Sequence, residues 1–148
     1  MTETVTLVGA GPGGAELLTR GGGAALRQAD AVVYDRLVDE SILDLIPKGA
    51  ERICVGKKMG HHPVPQDEIN ALLVRLARQG KRTVRLKGGD CYLFGRGGEE
   101  CEYLKAHGVP FRVLPGVTSA LAAPAFAGIP VTHRDFCSSV HIVTAHAR

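Results

Sequence analysis

Short apolar runs, each closed by glycine or a charged residue, alternate along the chain with longer segments whose apolar positions recur at helical spacing. The runs at 5–9, 31–34, 52–55, 83–86 and 111–114 predict five strands, the first of them buried. Between them, 16–29 and 39–46 predict helices, the second stopped by Pro47. The clearest helix begins near Pro65: Ile69, Leu72, Leu73 and Leu76 repeat on one face, and Gly80 supplies the stop. A helix over 98–107 ends at Gly108, and an alanine-rich one covers 117–127. Gly21, Gly22 and Gly23 interrupt the first helical pattern, each costing about 1 kcal/mol relative to alanine in a helix interior.

Strands that alternate with helices in this way call for an α/β fold: a mostly parallel five-stranded sheet with helices on both faces. Ligands of such sheets bind outside the carboxyl ends of the strands. Three glycine-rich turns, at 9–14, 87–90 and 115–120, follow strands and so fall on that edge, which implies a wide cleft with several contact points. Beyond residue 127 the pattern changes. The expected division is 1–127 as an N-terminal α/β domain, 128–139 as an interdomain linker, and 140–148 as the opening of a second domain. A strand is predicted over 140–144 with no helix after it, so the chain reads as cut short there.

The composition is that of a globular protein, 45% hydrophobic and 22% charged. No apolar run reaches the ~20 residues of a membrane helix. The net charge of +3 is too small to argue for nucleic acid. Basic residues cluster at Arg52, Lys57 and Lys58, and at Lys81, Arg82, Arg85 and Lys87; each cluster is either a solvated face or a patch for an anionic substrate. Cys54, Cys91, Cys101 and Cys137 form no C-x-x-C pair and are read as reduced thiols of a cytoplasmic protein. His61 and His62 are adjacent and lack a third ligand at a fitting spacing, so no metal is expected; His133 is assigned structural hydrogen bonds.

Gly9, Gly11 and Gly14 satisfy G-x-G-x-x-G directly after a strand, and Asp35 ends the next one, which is the dinucleotide fingerprint in its usual context. Pro12 removes one amide from that turn. A nicotinamide-binding module accounts for this motif but not for the turns at 87–90 and 115–120.

The motifs together resemble the uroporphyrinogen-III C-methyltransferase family, within the tetrapyrrole methylases. They are VGAGPG (8–13), LLT (17–19), VVYDRLV (32–38), VGKK (55–58), Gln66 with EIN (68–70), VRLKGGD (84–90), FGRGGEE (94–100), PGVTSA (115–120) and AGIPVTHRD (127–135). Gly14 stands where the family usually has aspartate, and Cys91 where it has proline; the glycine run at 21–23 is also unusual. The resemblance implies S-adenosylmethionine bound at Pro12, Gly88, Gly89, Asp90, Leu93, Thr118 and Ser119. The residues suit that reading. Glycines 88 and 89 let the backbone reach a ligand, Asp90 can accept hydrogen bonds, and Thr118 and Ser119 stand at a helix start, where hydroxyls cap or bind.

The family's proton acceptor corresponds to Asp35 and its proton donor to Lys57. Arg36, Lys57, Lys58, Arg96 and Arg134 would face the eight carboxylates of the substrate. The implied activity is transfer of two methyl groups to uroporphyrinogen III, giving precorrin-2 through precorrin-1 for sirohaem and cobalamin synthesis, by a protein that is a homodimer at full length. A folded fragment without catalytic activity is the alternative for these 148 residues.

Overall fold

A computed structural model of the chain describes residues 1–56 and 64–145. Five strands, β1 (Val5–Gly9), β2 (Ala31–Tyr34), β3 (Glu51–Cys54), β4 (Thr83–Lys87) and β5 (Phe111–Leu114), form one sheet in the order β3-β2-β4-β1-β5. Every pairing in it is parallel. Five helices intervene: α1 (Arg20–Arg27), α2 (Glu40–Leu43), α3 (Gln66–Arg78), α4 (Gly97–Ala106) and α5 (Ser119–Phe126).

Side chains leave a strand alternately to its two faces, and the sheet here is covered on both. Val5, Leu7, Ala31 and Val33 pack with Ile69, Leu73 and Leu76 of α3 and Leu104 of α4. Val8, Val32, Val84 and Leu86 pack with Ala25 and Leu26 of α1 and Ile42 of α2. The chain therefore leaves β1 toward one face and β4 toward the other. Since β1 and β4 are neighbours, the strand order reverses between them, and a crevice opens at their carboxyl ends.

Two expectations are corrected. The helix predicted over 16–29 is split into a 3-10 turn at Ala15–Leu17 and α1, which starts only at Arg20 behind the Thr19 cap; Thr19 Oγ1 accepts from Gly22 N at 3.1 Å. Within the glycine run, Gly22 is the one that packing requires. A Cβ at Gly22 would stand 2.9 Å from Val8 Cγ1 and 3.0 Å from Leu18 Cδ1, so only glycine lets α1 lie this close to β1. The strand predicted over 140–144 does not form. An extended segment becomes a strand by hydrogen bonding to a neighbour, and among the described residues this one pairs with no strand. It lies instead along the crevice, where Ile142, Val143, Thr144 and Ala145 line a cavity.

Helix α5 buries only Ala122. Leu121, Phe126, Ile129, Phe136 and Val143 are exposed on α5 and the segment that follows it, Phe126 by 76%. His133 makes the structural bonds expected of it: its backbone exchanges two hydrogen bonds with Cys137, and its Nδ1 accepts from Asp135 N at 3.2 Å.

Candidate functional site

The three glycine-rich turns meet at the crevice, and they meet through their backbones. Gly11 N donates to Gly89 O at 3.1 Å and Gly89 N to Gly11 O at 2.8 Å, with φ positive at both residues (79° and 63°). The third turn closes on the other two. A Cβ built on Gly9 would stand 2.6 Å from Gly116 Cα, and one on Gly116 would stand 2.7 Å from Gly9 Cα. These glycines are therefore needed first by one another. The Gly89 amide is spent on Gly11, while its carbonyl oxygen keeps one lone pair for a further donor.

Asp90 ties the same corner together. Its Oδ1 accepts from Tyr92 N at 2.8 Å and Leu93 N at 3.1 Å, and its Oδ2 accepts from Gly116 N at 3.1 Å. Oδ1 is fully used by these two amides, and Oδ2 keeps lone-pair capacity for a ligand. Thr118 caps α5 through Ala120 N at 3.3 Å, and Ser119 is the first residue of that helix. The loop after Asp90 coils around the Cys91 carbonyl, which accepts from Gly97 N at 3.1 Å. Phe94 and Arg96 take positive φ (55° and 57°) within this loop, a conformation unfavourable for side-chain-bearing residues. Cys91, in the place of the family's proline, is fully buried, and that burial pushes its thiol up to about 12.

Pro12, Gly88, Gly89, Asp90, Leu93, Thr118 and Ser119 all line one cavity of about 630 Å³. Sequence reasoning named these seven; Gly11, Leu37, Phe94, Ala120, Ala123 and the segment 142–145 complete the wall. The lining combines a carboxylate and hydroxyls with apolar side chains.

The remaining candidates are placed differently. Arg36, Arg96 and Arg134 are exposed and are not part of the cavity wall. The Arg96 guanidinium is engaged by Glu99, Nε to Oε1 at 2.9 Å and Nη2 to Oε2 at 2.6 Å. Lys57, Lys58, His61 and His62 lie outside the described residues. Among the described residues no cluster of three or more His, Cys, Asp or Glu could hold a metal ion.

The second basic cluster divides. Lys81 pairs with Glu51 and Arg82 with Asp30 on the surface, whereas Arg85 and Lys87 are buried with side chains 3% and 6% exposed, neither a solvated face nor an open patch. Both are directed into the α3/α4 face, against Glu100 of α4, whose side chain is 0% exposed. Glu100 Oε1 accepts from Arg85 Nε at 3.0 Å, Lys87 Nζ at 3.2 Å and Gln66 Nε2 at 3.2 Å. Burial first, and then the Arg85 guanidinium, hold the Lys87 ammonium below its ordinary range. Arg85 also reaches the end of β2, where its Nη2 donates to Asp35 Oδ2 at 3.3 Å. The alternation Val84-Arg85-Leu86-Lys87 carried this signal, since it sets two charges on one face of a strand that the sheet buries on both.

The dinucleotide reading of the first turn loses ground on this geometry. Gly11 N is spent on Gly89, Pro12 has no amide, no helix begins until Arg20 apart from the 3-10 turn, and Asp35 is paired with Arg85.

Fold and crevice together define a doubly wound α/β domain with a cavity at the point where the strand order reverses. The chain belongs to the tetrapyrrole (corrin/porphyrin) methylases, whose family model matches residues 4–147. It is 59% identical over 144 residues to siroheme synthase 1 of Serratia proteamaculans, covering 97% of this chain and 30% of that protein. Its fold superposes on a uroporphyrin-III C-methyltransferase of Thermus thermophilus with a TM-score of 0.80 at 46% identity, over 90% of this chain and 56% of that one. A Thermus thermophilus uroporphyrin-III C-methyltransferase solved with S-adenosylhomocysteine matches with a TM-score of 0.72 at 51% identity, over 88% of this chain and 50% of that one. The chain thus spans less than a third of the siroheme synthase and about half of the methyltransferases.

Proposed function

We propose that this chain supplies the N-terminal half of an S-adenosylmethionine-dependent methyltransferase that C-methylates uroporphyrinogen III to precorrin-2 by way of precorrin-1. The observation that carries the proposal is the convergence of seven residues from three separate turns on one cavity. Its size, about 630 Å³, lies inside the roughly 300–1,000 Å³ of small-molecule sites. Its wall fits an amphiphilic nucleoside donor. The Asp90 carboxylate and the Thr118 and Ser119 hydroxyls suit the donor's polar and cationic groups, while Leu37, Leu93 and Ala123 suit apolar ones. The relative solved with S-adenosylhomocysteine supports the same donor.

The donor contributes a methyl group activated on a cationic sulfur. The protein's share is to bind and orient the two reactants, since no enzyme nucleophile is required. As the ring carbon took the methyl, the sulfur–methyl bond would break to release neutral S-adenosylhomocysteine, the positive charge would pass to the tetrapyrrole ring, and loss of a proton to a carboxylate would relieve it. Asp35, at the carboxyl end of β2, is the proposed acceptor. Lys57 is the proposed donor, and Arg36, Lys58, Arg96 and Arg134 the proposed partners of the substrate carboxylates. Arg96 would have to exchange Glu99 for them.

We further assign 1–127 to one domain, 128–139 to a linker and 140–148 to the start of a second domain. The exposed apolar residues on α5 and beyond support a covering partner there. At full length the protein is proposed to be a cytoplasmic homodimer.

Calorimetry of the chain with S-adenosylhomocysteine and with NAD tests the reading. Binding of the first alone is expected. Binding of NAD alone would replace the proposal with a nicotinamide module, and silence with both would leave a folded, non-catalytic fragment.

A further inference from the structure

Asp35 is held by remarkably little for a group assigned the proton, and what holds it is itself held from one side. Arg85 Nη2 is the side-chain donor to Asp35 Oδ2, while Asp35 Oδ1 is buried without any donor. The guanidinium has no freedom of its own. Its Nη1 donates to the carbonyl oxygens of Val33 and Leu86 at 3.3 and 3.2 Å, and its Nε to Glu100 Oε1 at 3.0 Å. Glu100 is locked in turn by Lys87 and by Gln66, which also donates to Asn70 Oδ1 at 3.0 Å. Its second oxygen, Oε2, is buried without a donor.

Arginine frequently meets one carboxylate with its fork, in bidentate fashion. Here the fork is split. One edge is anchored on a completely buried acid and the other presents a single N–H to an acid at the strand-end rim, whose side chain keeps 29% exposure. Fixing a group in this way by neighbours that are themselves locked is what a reactive carboxylate requires.

We infer that Glu100, acting through Arg85, is a positioning residue for Asp35: it fixes the guanidinium that fixes the carboxylate. The inference rests on the assignment of Asp35 as proton acceptor made above.

Nuclear magnetic resonance and a double-mutant cycle test it. In the wild-type chain the Arg85 Nη signals should be resolved, because rotation of the guanidinium is hindered. In Glu100→Gln they should coalesce, and the Asp35 carboxyl ¹³C signal should move, although Glu100 and Asp35 do not touch. Arg85→Lys, which keeps the charge and loses the fork, should move the same signal. An unmoved Asp35 signal in Glu100→Gln overturns the inference whether or not the chain turns over substrate.

With S-adenosylmethionine and uroporphyrinogen III, Glu100→Gln should lower kcat by about tenfold to a hundredfold. KM and the S-adenosylhomocysteine affinity should stay within about twofold, which also reports that the variant is folded. In an Asp35→Asn background the same change should alter kcat by less than about twofold, because the group it positions is gone. A penalty that multiplies unchanged onto Asp35→Asn overturns the inference. Wild-type turnover in Asp35→Asn would instead remove the acceptor assignment, and leaves the resonance result to decide whether Glu100 holds the carboxylate.

Discussion

Strand β4 has basic residues at both ends, and the two ends handle them in opposite ways. At its amino end Lys81 and Arg82 lie at the surface and pair with Glu51 and Asp30, exposed acids of neighbouring elements. At its carboxyl end Arg85 and Lys87 are taken out of water and share one buried acid, Glu100. Water already solvates the first pair of cations, so their partners add little. The second pair has lost that solvation, so removing its counter-charge is severe. The charged group that matters most for stability therefore stands beside the rim that forms the cavity.

The comparison is sharpest for Glu100→Ala. Two cations would remain buried without their acid, and we expect a loss of about 3–5 kcal/mol, read from urea denaturation. A loss no larger than that of a surface substitution would mean that water reaches the cluster. Next comes Gly116→Ala. The added methyl has no room against Gly9, and overpacking of this kind costs about 1–3 kcal/mol. S-adenosylhomocysteine affinity should fall with it, because the turns that shape the cavity must separate. Asp90→Asn keeps the Oδ1 acceptor and loses the Oδ2 acceptor of Gly116 N. We expect a loss of about 1 kcal/mol in stability, with a larger proportional loss of ligand affinity by calorimetry.

The smallest effect belongs to the amino end. The side-chain and backbone hydrogen bonds of Arg82 lower Asp30 from its ordinary 3.8 to about 2. A carboxylate lowered by folding contributes stability above its unfolded value and loses it as pH falls through the folded one. Denaturation midpoints of Arg82→Ala and wild type should therefore separate slightly above about pH 4 and converge below about pH 2. A separation persisting below pH 2 would show that the pair acts through packing and not through charge.

The strand runs and helical repeats locate all five strands and the helices, because each rests on a local period that the sheet then buries. The helix expected from residue 16 begins late because Thr19 offers a cap inside the pattern and Gly22 is required by Val8 beneath it. The strand expected at 140–144 has apolar residues but pairs with no strand among the described residues, and pairing is not a property of a segment alone. The glycine motifs marked the rim on which the cavity lies. What no window of sequence contains is that the glycines touch each other, or that Arg85 and Lys87 would be buried while Lys81 and Arg82 stay wet. That difference follows from β4 lying in the middle of the sheet order, which is set by strands far apart in the chain.

The contact of Gly9, Gly89 and Gly116 has a consequence for how such a site can vary. A methyl group on Gly9 or Gly116 would strike the other of the two and the Gly89 carbonyl, and Gly89 holds a positive φ that side-chain-bearing residues disfavour, so Gly9 and Gly116 cannot be decorated without displacing their neighbours. Variation of the cavity wall is then left to side chains that line it around this knot, Leu37, Leu93, Phe94 and Ser119 among them, while the knot itself admits change only by simultaneous replacement.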